Sequence, residues 1–111
     1  MSAVITRDEL STAIDAGSVT VVETLGPQYF EQGHVPGAIN VPHTEVAELA
    51  PSLLPDKDAP IVVYCSNIQC QNSAIAQGEL RRLGYTNVRK YPEGKQDWEA
   101  AGLPLESGVA A

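Results

Sequence analysis

The chain has 111 residues, of which 43% are hydrophobic, and its seven Lys and Arg against 14 Asp and Glu give a formal net charge of -7. A chain of this size and apolarity can bury one ordinary core without metals or disulfides, so we expect a single domain over residues 1–111. The negative charge repels phosphate backbones and anionic lipids, which argues against nucleic-acid and membrane partners. No apolar run approaches the roughly 20 residues that cross a bilayer, and residues 1–8 do not resemble a secretory signal. We therefore expect a cytoplasmic protein.

The first part of the chain predicts a helix followed by two strands. Thr6 and Glu9 have the spacing of a capping box, and the helix that follows should end at Gly17. The β-branched run over 19–22 predicts a strand covered on both faces, and residues 38–41 predict a second, shorter strand.

Helix and strand patterns continue to alternate in the rest of the chain. The predicted elements are a helix over 44–50, a strand over 61–64, a helix capped by Ser73, a strand over 87–91 and a helix over 97–101. The apolar residues expected on one face of the helix after Ser73 are Ile75, Ala76, Leu80 and Leu83. This order predicts an α/β fold of three layers, in which a mostly parallel central sheet is flanked by helices.

Sites in such sheets form beyond the carboxyl ends of the strands. The strand over 61–64 runs directly into Cys65, and of the segments that follow the predicted strands only this one contains a candidate nucleophile. The position at the end of the strand favours Cys65 over Cys70 as that nucleophile. A thiol between a strand and a helix amino terminus meets free backbone amides and the positive end of the helix dipole, and both favour the thiolate. The alternative is that Cys65 fills a core position, because free cysteine is often buried.

The loop after Cys65 is predicted to cradle an anion or the terminal sulfur of a persulfide with its backbone amides. Its residues are Ser66, Asn67, Ile68, Gln69, Cys70 and Gln71.

Four residues are candidates for the rim of this site: Glu23, His43, Lys95 and Trp98. Solvent exposure of His43 and Lys95, and core packing of Trp98, are the alternatives. His34 is expected to hydrogen-bond to backbone groups. Because the sequence contains neither CxxC nor closely paired histidines, we expect no metal and no cofactor.

Five segments resemble the rhodanese homology domain. They are residues 33–42 (GHVPGAINVP), 62–65 (VVYC), 83–88 (LGYTNV), 93–98 (EGKQDW) and 101–104 (AGLP). The similarity covers nearly the whole chain in the family's order. The resemblance implies a rhodanese-like sulfurtransferase fold in which Cys65 accepts sulfane sulfur and passes it to a nucleophilic acceptor.

Two positions depart from that family's pattern. Its loop usually ends in arginine, whereas no arginine occurs from Cys65 to Leu80, and Gln71 stands where a seven-residue loop would end. Glu23, Thr24 and Leu25 stand where Asp-Val-Arg is common. Without bidentate arginine contacts, we expect weak use of the dianion thiosulfate, and phosphatase or arsenate-reductase chemistry is disfavoured.

The preferred hypothesis is a sulfurtransferase that moves sulfur from thiosulfate or a persulfide, through Cys65, to a thiol, to cyanide or to a protein sulfur carrier. One alternative is a non-catalytic binding or sulfur-relay module. Another is a redox switch in which Cys70 is a resolving thiol that attacks a persulfide or sulfenic acid on Cys65. Cys70 can equally be a small residue that packs the loop against the helix.

Overall fold

Strand and helix alternate along the chain, as the sequence predicts. The computed structural model describes residues 3–108. Its helices are α1 (Arg7–Asp15), α2 (Pro27–Gln32), α3 (Val46–Leu53), α4 (Asn72–Arg82) and α5 (Gly94–Ala100). Its strands are β1 (Thr20–Glu23), β2 (Ile39–Asn40), β3 (Ile61–Tyr64) and β4 (Val88–Tyr91).

The four strands form one parallel sheet in the order β2-β1-β3-β4. Their last residues lie side by side, because Glu23 pairs with both Asn40 and Tyr64, and Tyr64 pairs with Tyr91. All four carboxyl ends therefore meet at one edge of the sheet, where ligand sites of such folds form.

Helices cover both faces of the sheet and create two core layers. On one face, α3 and α4 pack Ala50 and Leu80 against Val63. On the other, α1 and α5 contribute Leu10 and Trp98 to the core, and α2 adds Phe30. The predicted three-layer α/β fold is thus confirmed.

Several predicted helix boundaries differ from the structure. The capping box is present, since Glu9 N donates to Thr6 Oγ1 (3.2 Å) and Thr6 N donates to Glu9 Oε1 (3.0 Å). Helix α2 was not predicted, because six residues carry too short a pattern. Helix α3 continues through Pro51, and α5 begins at Gly94, ahead of the predicted 97–101. No helix within residues 3–108 is long and apolar enough to span a membrane.

The prediction for α4 was wrong at its start and for one residue of its inner face. Gln71 is the N-cap residue, whereas Ser73, the predicted cap, is buried inside the first turn. Ile75 is 50% exposed. The buried residues are Ser73, Ala76, Gln77 and Leu80, at i, i+3, i+4 and i+7. Ala76 and Leu80 are buried as predicted and Leu83 packs against the core, whereas Gln77 points inward and Ile75 does not.

On the outer edge of β4, main-chain groups form hydrogen bonds with residues outside the four strands. Ile5 N donates to Lys90 O (3.0 Å), and Lys90 N donates to Ala3 O (2.9 Å). The buried Gln77 Nε2 donates to Val88 O (3.0 Å), which explains its inward position on α4. The strand at the opposite edge, β2, has only two residues.

Three of the four tyrosines, Tyr64, Tyr85 and Tyr91, are at most 4% exposed. Burial raises the pKa of each phenol, and a nearby carboxylate adds to the shift at Tyr64 and Tyr91. The phenols therefore keep their protons in the native state at pH values where the unfolded chain loses them, above about pH 10.

The stabilisation that comes from these phenols should be complete below about pH 10. Above that pH, the free energy of unfolding should fall by about 1.4 kcal/mol per pH unit for each tyrosine that keeps its proton only in the native state. Tyrosinate absorbance and circular dichroism followed during an alkaline titration would test this. We expect the absorbance of these three phenolates to rise together with unfolding. Their ionisation in a chain that keeps its native circular dichroism would contradict the prediction.

Candidate active site

Cys65 follows β3 at the carboxyl edge of the sheet and is 1% exposed. It is joined to Cys70 by a disulfide whose Cα atoms lie 6.2 Å apart, within the ordinary range for disulfides. The two sulfurs can therefore meet, which the sequence left open. In this oxidised state Cys65 is both bonded to Cys70 and buried.

The start of α5 fixes the main chain of the cysteine loop. Lys95 N donates to Cys65 O (2.9 Å), and Gln96 N donates to Ser66 O (2.8 Å). Gly94 allows the start of α5 to lie this close to the cysteine loop. Its φ is +71°, and a Cβ at this position would lie 2.6 Å from Cys65 O. Main-chain groups thus determine where Cys65 sits.

Asn67 organises the turn between the two cysteines. Its side chain accepts from Gln69 N (3.0 Å), and its carbonyl accepts from Cys70 N (3.1 Å). The amides of Ser66, Asn67 and Ile68 have no hydrogen-bond acceptor within residues 3–108. They are available to donate to an anion, and the amino terminus of α4 follows directly.

A buried charge network lies beneath the loop. Glu23 is completely buried, and its Oε1 accepts from Lys95 Nζ (2.9 Å) and from Tyr64 OH (2.8 Å). Its other carboxylate oxygen, Oε2, is buried without a hydrogen-bond partner among the described residues. Tyr64 immediately precedes Cys65, so the network ties β1, β3 and α5 together at the edge that carries the cysteine.

The structure corrects two expectations for this network. Glu23 is not at the rim but lies under the surface. Lys95 is not solvated, since its side chain is 16% exposed and Nζ also donates to Gly33 O (2.6 Å) and Tyr29 O (3.1 Å). The charge of Lys95 is therefore neutralised by Glu23 inside the protein, and it does not replace the arginine that the loop lacks.

Two depressions open beside the loop. The first, of about 400 Å³, is lined by Leu25, Tyr29, Gln32, Gly33, Ser66, Lys95, Gln96, Glu99 and Leu105. The second, of about 350 Å³, is lined by Asn67, Ile68, Glu93, Gln96, Asp97 and Ala100. Of the predicted rim residues, only Lys95 lines either depression.

The other rim candidates lie away from the depressions. Trp98 is 3% exposed, its Nε1 donates to Pro104 O (2.9 Å), and its ring packs edge-on against Tyr91. The rim assignment of Trp98 is therefore wrong, and its alternative, core packing, is confirmed. His43 is partly buried at the carboxyl end of β2, where its N–H donates to Thr24 O (3.0 Å).

His34 forms the backbone contact predicted for it. Its Nδ1 lies 2.8 Å from Phe30 O, and its ring stacks on that of Phe30. Within residues 3–108, no three His, Cys, Asp or Glu side chains are grouped so that they could hold a metal ion.

Gly94 and Tyr64 shape the site but were not predicted to do so. The sequence places Gly94 in a segment that follows a strand, at the edge where a site is expected, but gives it no role, and it places Tyr64 within a buried strand. Their roles depend on contacts with distant segments, which have no local sequence signal.

The family model for the rhodanese-like domain matches residues 6–101. An HTH-type transcriptional regulator of Mycobacterium tuberculosis, Rv0324, is 38% identical over 105 residues, which are 95% of this chain but only 45% of the regulator. The thiosulfate sulfurtransferase GlpE of Pseudomonas entomophila is 30% identical over 92 residues, covering 83% of this chain and 81% of that protein.

A solved structure shows the same fold. The human single-domain sulfurtransferase TSTD1 matches 90% of this chain and 97% of its own, with a TM-score of 0.79 at 21% identity. With a family model that spans most of its length and a fold shared with this neighbour, the chain belongs to the rhodanese-like domain family.

Proposed function

We propose that the protein is a sulfurtransferase that carries sulfane sulfur as a persulfide on Cys65. The observation that carries this proposal is the position of Cys65. It follows β3 directly, in a loop that leads into α4 and whose amides at Ser66, Asn67 and Ile68 have no acceptor among the described residues. Such surroundings favour a thiolate and stabilise a terminal sulfur anion. Similarity to thiosulfate sulfurtransferases supports the same chemistry.

Two displacement steps complete the cycle. The Cys65 thiolate attacks the outer sulfur of a donor, and the bond between that sulfur and the rest of the donor breaks. With thiosulfate, sulfite leaves with the bonding electrons. The acceptor nucleophile then attacks the same outer sulfur, takes it away and releases the Cys65 thiolate.

A persulfide should be a better donor than thiosulfate. The loop has no arginine, and Lys95 is already paired with Glu23. A dianion would therefore be held by amides and polar side chains alone, without charge-assisted bidentate contacts.

The test is intact mass and peptide mapping of reduced protein after incubation with thiosulfate or with a low-molecular-weight persulfide. We expect a gain of one sulfur mass on Cys65 that cyanide removes. Cys65→Ser should lose the adduct, and Cys70→Ser should keep it. A folded Cys70→Ser protein with a free Cys65 thiol that forms no adduct with either donor would overturn the proposal.

The disulfide itself favours a second candidate function, a thiol redox switch. In that scheme the Cys70 thiolate attacks Sγ of a Cys65 persulfide, the bond between the two persulfide sulfurs breaks, and hydrosulfide leaves. The product is the disulfide of the structure, and a dithiol reductant returns both cysteines to thiols.

The lifetime of the persulfide tests this second function. Wild-type protein loaded on Cys65 should release hydrosulfide and form the disulfide, whereas loaded Cys70→Ser should keep its sulfur at least about tenfold longer. Equal lifetimes of the two loaded proteins would show that Cys70 does not attack the persulfide on Cys65.

A further inference from the structure

The cysteine loop separates two surface depressions. Ser66 lines the larger, Asn67 and Ile68 line the smaller, and Gln96 lines both. Ile68, which lines the smaller depression, is 70% exposed. A small thiol would fill one depression, whereas an extended polypeptide segment that crosses the loop would contact both and cover Ile68.

Negative charge dominates these depressions. Glu99 lines the first, and Glu93 and Asp97 line the second. Asp97 is paired with Arg7 (3.1 Å), and the charge of Lys95 is neutralised by its buried partner. Neither Glu93 nor Glu99 forms an ion pair with another described residue. Among the residues that line the two depressions, the charges without an ion-pair partner are therefore those of Glu93 and Glu99.

Three other basic residues lie at the end of α4 opposite the cysteine loop. Arg81 and Arg82 are in the last turn of α4, which leads away from the cysteine loop. Lys57 is beside that end of the helix, where its Nζ donates to Leu83 O (2.8 Å). Arg89 and Lys90 are in β4, and neither of them lines a depression. Among the lining residues, Glu93 and Glu99 are therefore not balanced by a cation.

We infer that the sulfur acceptor is a cysteine in a polypeptide segment that carries basic residues beside that cysteine, and that Glu93 and Glu99 select it. This inference rests on the proposed sulfurtransferase function. The local field attracts a cationic segment and repels anionic thiols, so it acts mainly on the rate of productive encounter.

The basic residues of the acceptor also suit the transfer step. They favour the thiolate of the acceptor cysteine. That thiolate attacks the outer sulfur of the Cys65 persulfide, the bond from this sulfur to Cys65 Sγ breaks, and Cys65 leaves as a thiolate. The acceptor keeps the sulfur as its own persulfide, and no external oxidant or reductant is needed.

The experiment starts from reduced protein whose Cys65 has been loaded by a low-molecular-weight persulfide and checked by intact mass. Two peptides of equal length then compete as acceptors, each with one cysteine, flanked by lysines in one and by glutamates in the other. We expect at least about tenfold faster transfer to the lysine peptide at low ionic strength, and a ratio that falls towards one in high salt. Cysteamine, a small cationic thiol, should be slower than the lysine peptide.

Two double variants test whether Glu93 and Glu99 cause the preference for the lysine peptide. Glu93→Gln combined with Glu99→Gln should reduce the ratio to within about twofold. The matched control, Asp15→Asn combined with Asp56→Asn, removes two acidic residues from segments that lead into β1 and β3, and it should leave the ratio unchanged.

Equal rates for the two peptides, or a preference that survives the double glutamine variant, would overturn the charge selection. Cysteamine as fast as the lysine peptide would overturn the polypeptide acceptor. These results all require a loaded Cys65, whereas failure to load would overturn the proposed function and this inference with it.

Discussion

Replacing Gly94 with alanine should lower the free energy of unfolding by about 3 kcal/mol and slow sulfur transfer at least about 100-fold. The φ of +71° strains any other residue, and the new Cβ would lie 2.6 Å from Cys65 O and 3.0 Å from Asn67 N. Both atoms belong to the backbone, so no flexible side chain can move aside. The loop must shift, and the cysteine moves with it.

Gly78→Ala is the matched control for this substitution. Gly78 lies inside α4, and a Cβ there would have no neighbour within 4 Å. This variant should gain about 0.5–1 kcal/mol of stability and retain wild-type transfer. Denaturant unfolding and transfer from a persulfide donor measure both effects. Gly94→Ala with wild-type stability and rate would contradict the assigned role of the glycine.

Replacing Lys95 with methionine should destabilise the protein by about 3 kcal/mol, because it leaves the carboxylate of Glu23 buried without its cation. Glu23→Gln combined with Lys95→Met removes both charges and should recover part of that loss. The methionine keeps the backbone N–H that donates to Cys65 O, so transfer by the folded variant should remain within a few-fold of wild type.

An exposed ion pair provides the control. Arg82 contacts Glu79 on the surface of α4, and Arg82→Met should leave the unfolding transition unchanged within error. Chemical denaturation of the four proteins at neutral pH gives the comparison. Lys95→Met as stable as wild type would show that the buried pair contributes little.

The fold could be predicted because its signals are local. The run 61–64 has apolar residues at every position, and the structure confirms it as the fully buried strand β3. The capping box of Thr6 and Glu9 marks the start of α1, which is also confirmed. Helix α4 shows the limit of this reasoning, because Ile75 is apolar but exposed, whereas Gln77 is polar but bonded to the edge of β4.

The candidate site could be predicted only in part. The order of strand, cysteine and helix placed Cys65 at the correct edge of the sheet. The contact between Glu23 and Lys95 depends on how β1 pairs with β3 and on how closely Gly94 approaches the loop. These are long-range distances, and a sequence pattern does not contain them. The same reason explains why the sequence does not decide between the rim and the core for Trp98, which packs in the core.

The hydrogen bonds along β4 also bear on self-association. An exposed strand edge is a template on which other chains can add, and it is a common origin of aggregation. Here Ala3, Ile5 and Gln77 occupy main-chain groups of that edge, and β2 at the other side offers only two residues. The sheet therefore presents little free edge for strand addition, so the protein should resist fibril formation while it is folded.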